Sequence, residues 1–445
     1  MKTLEQLKAG KLLGQKKLTL GCGLTEFPEE ILDMAETLEF LDMTNNNLST
    51  LPKTFEKLKN LKILFLSNNQ FRELPTVLLE CHQLSIIGFR NNQIDSLPEN
   101  SLPLTTRWLI LTDNNLSTLP DSIGELKYLQ KFMLSGNQIS SLPKSLLACK
   151  NLELFRLAAN QMNALPSWLL TLPKLSWFAY AGNPFCAKHP SCDMPLKEVP
   201  WDELEIKEVL GEGASGLISK AIYNKDGSAL EVAVKVFKGE MTSDGLPKEE
   251  MDINISLGHH DHLVDVFARV THHPEGKDVL MLELIPAHYT NLGLPPTLES
   301  CTRDVYPKEF TLTLSKSIKL LKDMASAGRH LHEHGIMHGD FYAHNIMLDD
   351  EANSIIGDFG AASYYEPSDL TMRDALERLE VRAFGCLIEE MLMLSKNDGS
   401  NQEHRESLVK LQMACLNENS LERPLFKNIF QTLKVNWDSL AIMQK

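Results

Sequence analysis

Hydrophobic residues recur about every 23 residues through the first part of the chain, as alignment on Leu38, Leu61 and Leu84 shows. In each copy two further apolar residues, an asparagine and usually a Leu-Pro pair follow at fixed offsets. The asparagines that mark successive copies are Asn46, Asn69, Asn92, Asn114, Asn137, Asn160 and Asn183. Because one copy cannot bury its apolar residues alone, neighbouring copies must stack into a continuous core with a short parallel strand in each copy.

This frame resembles the leucine-rich repeat, which implies an α/β solenoid. The repeated asparagine must turn the chain where it leaves the strand, and its amide can satisfy backbone groups that would otherwise be buried without partners. We therefore predict a leucine-rich-repeat domain over residues 15–187, in which these asparagines are structural rather than catalytic.

The residues that flank the core leucines in each repeat strand are predicted to point to the concave face, because side chains alternate along a strand. All but Lys131 are apolar, and an exposed apolar column of this length is typical of an interaction surface. The column consists of Phe40, Ile63, Ile86, Trp108, Leu154 and Trp177, extended by Phe65, Ile110 and Met133. We predict that it binds a protein partner; docking on the chain's own second domain and a purely supporting role are the alternatives.

The pattern changes after a proline-containing stretch, residues 188–200, which we predict to be a linker. Residues 206–223 then indicate a strand, a glycine-rich turn and a second strand. Glycines let a backbone approach phosphates closely. A Rossmann dinucleotide site has similar glycine spacing but requires a helix directly after the glycines, whereas residues 217–222 have the character of a strand.

Two later motifs carry the candidate chemistry. Residues 338–345 read His-Gly-Asp-Phe-Tyr-Ala-His-Asn, and residues 358–360 read Asp-Phe-Gly. Phosphoryl transfer needs a carboxylate that orients the attacking hydroxyl and oxygen ligands that hold magnesium against the phosphates. The combination resembles the catalytic loop and the Asp-Phe-Gly element of protein kinases, which implies an α+β bilobal protein-kinase-like domain over residues 201–437.

The resemblance implies a role for individual residues. Asp340 would be the catalytic aspartate, with Asn345 and Asp358 as magnesium ligands. Lys235, in an apolar strand, would contact the ATP phosphates and pair with a carboxylate of the next helix; Glu250 is favoured, with Glu249 and Asp252 as alternatives. The remaining residues expected at the nucleotide are Leu210, Gly211, Glu212, Gly213, Ala214, Ser215, Gly216, Ile218, Glu283 and Ile285.

The chain departs from the kinase pattern at several positions. Gly339 replaces the arginine of the His-Arg-Asp triplet, so that a switch based on activation-loop phosphorylation is doubtful. Tyr342 stands where serine/threonine kinases carry a lysine, so the loop itself does not define the acceptor residue. Only 22 residues (380 − 358) separate Asp358 from Glu380, which takes the place of the family's αF aspartate.

Composition narrows the functional classes further. The 445 residues carry a net charge of −15, which makes nucleic acid or an anionic membrane an unlikely principal partner. No stretch approaches the roughly 20 apolar residues that span a bilayer, and the scattered cysteines are typical of reduced thiols, so we expect a cytoplasmic protein. Cys186 and Cys192 are close in sequence, but no surrounding histidine or cysteine completes a zinc site.

Together these patterns predict a leucine-rich-repeat protein kinase that uses ATP and Mg²⁺ and modifies protein hydroxyls, with serine or threonine expected. Two alternatives stay open. The first is a pseudokinase scaffold that binds partners through its repeats; retention of Lys235, Asp340, Asn345 and Asp358 argues against it. The second is a small-molecule kinase of the same fold, which the short segment after Asp358 favours.

Overall fold

The computed structural model describes residues 3–186, 196–225, 227–239, 241–396 and 401–443. The chain forms two compact units. The first unit comprises the residues up to Leu175 together with Asn183–Phe185, and the second comprises Ser176–Gly182 and the chain from Cys186 onward. No helix within the described ranges is long and apolar enough to cross a membrane.

The first unit is a repeat solenoid. After a short helix α1, Leu4–Lys8, its three-residue strands pair in parallel, each with the strand of the next repeat. These strands are β1 Lys17–Thr19, β2 Phe40–Asp42, β3 Ile63–Phe65, β4 Ile86–Gly88, β5 Trp108–Ile110, β6 Lys131–Met133 and β7 Leu154–Arg156. The predicted repeat fold is confirmed, down to a residue register in which Phe40 pairs with Ile63 and Ile63 with Ile86.

On the opposite side from each strand, most repeats form a short 3-10 helix. The proline of the Leu-Pro pair stands immediately before it, because proline fixes a backbone angle suited to the first turn and has no N–H to leave unsatisfied. These helices are Glu29–Met34, Lys53–Lys57, Thr76–Glu80, Asp121–Glu125, Lys144–Ala148 and Ser167–Thr171.

The repeated asparagines are buried and bind backbone groups of two neighbouring repeats. Asn69 is representative: its Nδ2 donates to the carbonyl oxygens of Leu66 at 3.1 Å and Met43 at 3.0 Å, and its Oδ1 accepts from the Leu48 N–H at 2.9 Å. A buried backbone group without a partner costs about 1–3 kcal/mol. The structural role predicted for these asparagines is thus confirmed.

The predicted apolar column is only partly exposed. Phe40, Ile63, Phe65, Trp108 and Ile110 are half-buried. The expectation of a solvent-facing position is wrong for Ile86, Met133, Leu154 and Trp177, which are 1%, 7%, 3% and 1% exposed. Ile86 is flanked in register by Ile63 and Trp108.

The second unit begins with Ser176–Gly182, which contains the strand β8, Trp177–Ala179. Of the predicted linker, residues 188–195 lie outside the described residues, as does Cys192. The end of that stretch forms the strand β9, Glu198–Pro200, which pairs in parallel with the strand β13, Val266–Thr271. Val199 is fully buried in the core of that sheet, so these residues are part of the second unit rather than an exposed connection.

The smaller lobe of the second unit is a six-stranded sheet in the order β10-β11-β12-β14-β13-β9. Its remaining strands are β10 Leu204–Glu212, β11 Gly216–Lys225, β12 Ser228–Phe237 and β14 Val279–Leu282. The helix α2, Pro247–Ser256, packs on one face through Met251 and Ile255. The predicted strand, glycine-rich turn and strand are therefore present as β10 and β11, which pair antiparallel.

The larger lobe is mainly helical and carries short strand pairs that hold its loops. The helices are α3 Leu314–Glu333, α4 Leu370–Leu394, α5 Gln402–Cys415 and α6 Phe426–Met443. The strands are β15 Thr290–Asn291, β16 Ile336–Met337, β17 Ile346–Leu348, β18 Ser354–Ile356 and β19 Ser363–Tyr364. Since β15, β17 and β18 form one sheet and β16 pairs with β19, residues 338–345 are held at both ends. This architecture confirms the predicted solenoid followed by a bilobal kinase-like domain.

Candidate active site

Lys235 and Glu250 form an ion pair between β12 and α2. Lys235 Nζ donates to Glu250 Oε1, and the two side chains are only 11% and 1% exposed. Glu250 lies in the first turn of α2, which begins at Pro247, and its side chain is buried against the sheet. Asp252, one of the two alternatives, lies 3.6 Å from Lys248 instead. The carboxylate that meets Lys235 is thus that of Glu250.

Burial and two neighbouring charges have opposing effects on the pKa of Glu250. Burial raises the pKa of the Glu250 carboxyl; the positive charge of Lys235 opposes this rise, and the negative charge of Asp358 adds to it. Glu250 Oε2 is buried, and a hydrogen bond from the Ser215 side chain also opposes the rise of the pKa. The negative charges of Glu250 and Asp358 are thus close enough to influence each other, and Lys235 offsets that of Glu250.

The glycine-rich turn closes over the same region. Gly213 N donates to Gly216 O at 2.9 Å, and Lys238 Nζ anchors the turn through Glu212 Oε1 at 2.7 Å and Gly213 O at 3.0 Å. A Cβ atom built on Gly211 or Gly213 would have no atom within 4 Å. These two glycines are therefore not required by packing, and they leave backbone open to an approaching ligand.

Gly216 has a different role. A Cβ atom there would lie 2.6 Å from Val236 O and 3.3 Å from Lys235 Cε, so only glycine lets β11 approach β12 at this point. The neighbouring Ile218 is paired with Lys235 across the two strands. Leu210, on β10, is 50% exposed, and the other residues predicted at the nucleotide in this turn, Ala214 and Ser215, lie between β10 and β11.

Two further residues expected at the nucleotide, Glu283 and Ile285, lie just after β14. Leu282 is its last strand residue and is 8% exposed. Glu283 and Ile285 come directly after it and are half-buried. Glu283 N donates to Asp265 O at 2.9 Å, which fixes the start of this segment against the loop before β13.

Asp340 and Asn345 are joined within the loop 338–345, called the catalytic loop below. Asn345 Nδ2 donates to Asp340 O at 2.9 Å and to Asp340 Oδ2 at 3.0 Å. His338, which is fully buried, lies with Nδ1 3.3 Å from the Asp340 N–H and Nε2 3.1 Å from Gly357 O. His338 thus braces the loop and links it to the residue before Asp358.

Asp358 stands on a strained backbone at the edge of the site. Its φ of 56° lies in the left-handed region, and its Oδ1 accepts from Gly360 N at 3.2 Å. Gly357 N donates to Asn345 O at 3.0 Å, so the two predicted magnesium ligands belong to directly connected backbones. Phe359, between them and the core, is 2% exposed and its ring lies 4.9 Å from that of His338.

Glu380, on α4, supports the other side of the catalytic loop. It is fully buried and accepts from Gly339 N at 2.7 Å and from His338 N at 3.2 Å, while His332 Nε2 lies 2.9 Å from its Oε2. Burial alone would raise the pKa of this carboxyl, but the hydrogen bonds and charge of the histidines lower it. This geometry agrees with the sequence-based placement of Glu380 in the position of the αF aspartate.

Sequence reasoning missed a second brace of the catalytic loop. Asp304 accepts from His344 N at 2.9 Å through Oδ2, and its Oδ1 lies 2.7 Å from His344 Nδ1. Asp304 belongs to the segment between β15 and α3, which carries no motif. The only sequence signal was that two oppositely charged residues, Arg303 and Asp304, are adjacent in a loop. Arg303 donates a hydrogen bond to Glu390 on α4.

The donor set fits magnesium bound together with a nucleotide. Among the residues that the structure describes, no group of three or more His, Cys, Asp or Glu side chains forms a metal site by itself. Magnesium in nucleotide sites is held by one or two carboxylates plus phosphate and water oxygens. Asp358 and the amide of Asn345 supply hard oxygen donors of this kind, so the residues present are compatible with the predicted ATP and Mg²⁺.

Comparison with known proteins identifies both units. The family model described as protein tyrosine and serine/threonine kinase matches residues 204–385, and the leucine-rich-repeat model matches residues 37–58. The chain therefore carries leucine-rich repeats followed by a protein-kinase domain, as its sequence predicted.

The curated relatives are kinases of modest similarity. A LIM domain-containing serine/threonine-protein kinase of Dictyostelium discoideum is 24% identical over 282 residues, which cover 55% of this chain and 41% of the relative. An L-type lectin-domain containing receptor kinase of Arabidopsis thaliana is 28% identical over 213 residues, 47% of this chain and 31% of the relative. The rat proto-oncogene serine/threonine-protein kinase mos is 28% identical over 185 residues, 41% of this chain and 52% of the relative. The chain thus matches only about a third to a half of the length of these relatives.

Proposed function

We propose that this protein is an ATP-dependent protein kinase that transfers the γ-phosphate to serine or threonine hydroxyls, and that its repeats recruit a protein partner. The observation that carries the proposal is the convergence of the buried Lys235–Glu250 pair with Asp358 on one side and of the joined Asp340 and Asn345 on the other. These are the groups that phosphoryl transfer by positioning and electrostatics requires.

Each residue has a definite task in this mechanism. Asp340 orients the acceptor hydroxyl and accepts its proton, and Asn345 holds Asp340 in place. Lys235, fixed by Glu250, would neutralise phosphate charge, and Asp358 and the amide oxygen of Asn345 would hold the metal. When bound, magnesium-ATP supplies the phosphoryl group. The backbone at Gly211 and Gly213, which no side chain shields, would lie against the phosphates.

The decisive experiment is phosphoryl transfer by the full-length chain with [γ-³²P]ATP and magnesium. The wild-type protein should label itself or a mixed protein substrate, and Asp340→Ala should abolish the labelling while it still binds nucleotide. A matched control is Asp350→Ala, a change in the turn between β17 and β18, outside the site. Equal labelling by wild type and Asp340→Ala would reject the assignment. Nucleotide binding without any transfer by the wild type would instead favour a pseudokinase.

A small-molecule kinase is the second candidate, and one observation favours it. The helix α4 begins at Leu370, only 12 residues (370 − 358) after Asp358, so the chain has little segment on which to seat an extended peptide. Side-by-side assays with serine, threonine and tyrosine peptide libraries and with aminoglycoside or sugar acceptors discriminate the two. Transfer to peptides alone supports a protein kinase, and transfer to small hydroxyl compounds alone overturns it.

Partner recruitment rests on the half-buried part of the apolar column, formed by Phe40, Ile63, Phe65, Trp108 and Ile110. Exposed apolar patches of this kind often mark interaction sites, and tryptophan is enriched among the residues that dominate binding energy at interfaces. Full-length protein with Phe65→Ser and Trp108→Ser should lose partners that the wild type captures. The control is Tyr128→Ser, which alters a side chain that is 64% exposed and lies outside the column. Capture that is unchanged in the double variant would contradict a binding role for the column.

A further inference from the structure

The segment Ser176–Gly182 lies against the catalytic loop, although it precedes the kinase motifs in sequence. The indole ring of Trp177 stacks on the ring of Tyr342, with centroids 4.3 Å apart and planes at 5°. Trp177 Nε1 also lies 3.4 Å from Phe341 O, a contact across 164 residues of sequence. Phe341 and Tyr342 are the two residues that follow Asp340, so this one tryptophan contacts the chain directly beside the candidate catalytic carboxylate.

The same segment is tied to the short chain after Asp358. The N–H groups of Tyr180 and Ala181 both donate to Ser363 Oγ, at 3.0 and 3.1 Å. Ser363 is fully buried and lies in β19, opposite Met337 of β16. One hydroxyl therefore connects Ser176–Gly182 to the strand pair that begins the catalytic loop.

A third contact explains the glycine in the middle of the His-Gly-Asp triplet. Gly339 has a φ of 72°, and a Cβ atom there would lie 2.5 Å from Ala361 O and 2.7 Å from Phe178 O. Both obstacles are backbone atoms, which cannot rotate away. The position usually held by arginine is thus restricted to glycine by Ser176–Gly182 on one side and by residue 361 on the other.

The helix α4 holds this segment from a third direction. Arg382 Nη1 donates to Ser176 Oγ at 2.7 Å. Arg382 lies two residues beyond Glu380, the carboxylate that binds the backbone of His338 and Gly339. The catalytic loop is consequently held by α4 directly and also through Ser176–Gly182.

We propose that Ser176–Gly182 takes over part of the ordering role of an activation segment, which is short in this chain, and that Trp177 and Ser363 are positioning residues for phosphoryl transfer. This inference rests on the proposed kinase function. The physical basis of the proposal is that Ser176–Gly182 packs on Phe341 and Tyr342, which follow Asp340, and on the β16–β19 pair, which precedes it. These contacts fix the Asp340 carboxylate without phosphorylation of the chain. Since Leu175 and Asn183, on either side, belong to the repeat unit, the repeats are covalently joined to this ordering element.

The test uses the full-length chain and the variants Trp177→Ala and Trp177→Phe. Trp177→Ala removes the stack and the N–H donor, whereas Trp177→Phe keeps an aromatic ring on Tyr342. Because small displacements of a catalytic group can reduce rates on the order of 10²-fold, we expect Trp177→Ala to lower kcat by about 10- to 100-fold with an unchanged Kd for magnesium-ATP. Trp177→Phe should recover most of the rate.

Hydrogen exchange of residues 338–345 provides a readout that does not depend on activity. Trp177→Ala should speed exchange in the catalytic loop, because exchange reports local opening. Trp168→Ala, a change of another tryptophan nine residues earlier, should leave both exchange and kcat unaltered. If Trp177→Ala does not fold, Ser363→Ala replaces it, since it removes the acceptor of two N–H groups but keeps β19.

The outcomes separate the two proposals. Faster loop exchange together with a lower kcat supports the ordering role. Wild-type kcat in Trp177→Ala, with or without faster exchange, overturns it. If the wild-type chain transfers no phosphate at all, the proposed function fails, and the hydrogen-exchange measurement alone decides the inference. Unchanged exchange in the variants then overturns the inference. Faster exchange supports a catalytic loop that Ser176–Gly182 orders in a protein without kinase activity.

Discussion

Glu380 Oε1 accepts a hydrogen bond of 2.7 Å from the backbone N–H of Gly339, inside the core of the larger lobe. Its second oxygen serves His338 N and faces His332 Nε2. A single carboxylate on α4 thereby fixes the backbone just before Asp340. Because every atom of this network is buried, its members must satisfy one another, and the loss of one acceptor has no compensation from water.

Replacement of this carboxylate should destabilise the kinase domain. Glu380→Gln keeps the size of the side chain but turns one acceptor into a donor, so that one backbone N–H loses its partner. We expect the free energy of unfolding at neutral pH to fall by about 2–4 kcal/mol, measured by urea denaturation of full-length protein. The matched control is Glu351→Gln, an exposed position, where no comparable loss should occur.

The same variant should show a characteristic pH dependence. Despite burial, the hydrogen bonds of Glu380 lower its pKa below the ordinary value of 4.5. A carboxyl group whose pKa is lower in the folded state stabilises the protein above its unfolded pKa, and this contribution is lost as the pH falls through the folded pKa. The stability gap between wild type and Glu380→Gln should therefore narrow below about pH 4.5. A gap that widens on acidification would contradict this assignment.

The Lys235–Glu250 pair leads to a further prediction about stability. Removal of one partner from a buried ion pair leaves an uncompensated charge and costs about 3–5 kcal/mol, whereas removal of both costs much less. Lys235→Met should therefore be less stable than the double variant Lys235→Met/Glu250→Gln, as measured by thermal unfolding. Both should fail to transfer phosphate.

The control for that experiment is Lys238→Met. The Lys238 side chain is 39% exposed and its partner Glu212 is 62% exposed, and pairs of this kind contribute about 0–1 kcal/mol. Its unfolding temperature should stay close to that of the wild type. If Lys235→Met and the double variant were equally stable, the pair would not be electrostatically coupled as the structure indicates.

The predicted metal site can be tested by nucleotide binding with and without magnesium. Asp358→Asn removes the exposed carboxylate beside Glu250 and should weaken binding of magnesium-ATP by at least about 10-fold, since even indirect supports of a metal site typically contribute that much. Binding of ATP in the presence of EDTA should change little or improve, because a negative charge near the phosphates is gone. Titration calorimetry gives both constants. Equal losses with and without magnesium would assign Asp358 to phosphate binding or to folding rather than to the metal.

The sequence predicted those parts of the molecule that are defined by short contiguous motifs or by a regular repeat. The 23-residue frame defined the repeats because each asparagine, such as Asn69, binds backbone groups of its own copy and of the preceding one. The catalytic loop and the Asp-Phe-Gly element are short contiguous motifs, and their backbone contacts, such as Gly357 N to Asn345 O, follow from that contiguity. Glu380 was likewise placed by the resemblance of a short contiguous segment, residues 380–385, to the αF segment of the family.

The features that the sequence did not reveal depend on distant contacts. Trp177 fits the repeat pattern as well as Trp108 does, and its burial and its contacts with Phe341 and Tyr342 become visible only in the structure. Gly339 was noted as a departure, but its cause is a carbonyl group of Phe178, far away in the chain. Asp304 carries no motif at all. Periodicity reports which side of a strand is apolar, and it cannot report what covers that side.

The buried asparagines of the repeats provide the last prediction. Asn114 accepts from Ile94 N at 2.9 Å and donates to Phe89 O at 2.9 Å and to Leu111 O at 3.1 Å. Asn114→Ala leaves these buried groups without partners and should lower the stability of the repeat unit by about 2–4 kcal/mol. Its neighbour Asn115 is exposed, so Asn115→Ala is the matched control and should change stability by less than about 0.5 kcal/mol. Hydrogen exchange should show the effect of Asn114→Ala concentrated in the repeats on either side of it, because solenoid repeats are stabilised chiefly by their nearest neighbours. Protection lost evenly over all repeats, or equal destabilisation by both variants, would contradict the role of Asn114 as a local bridge.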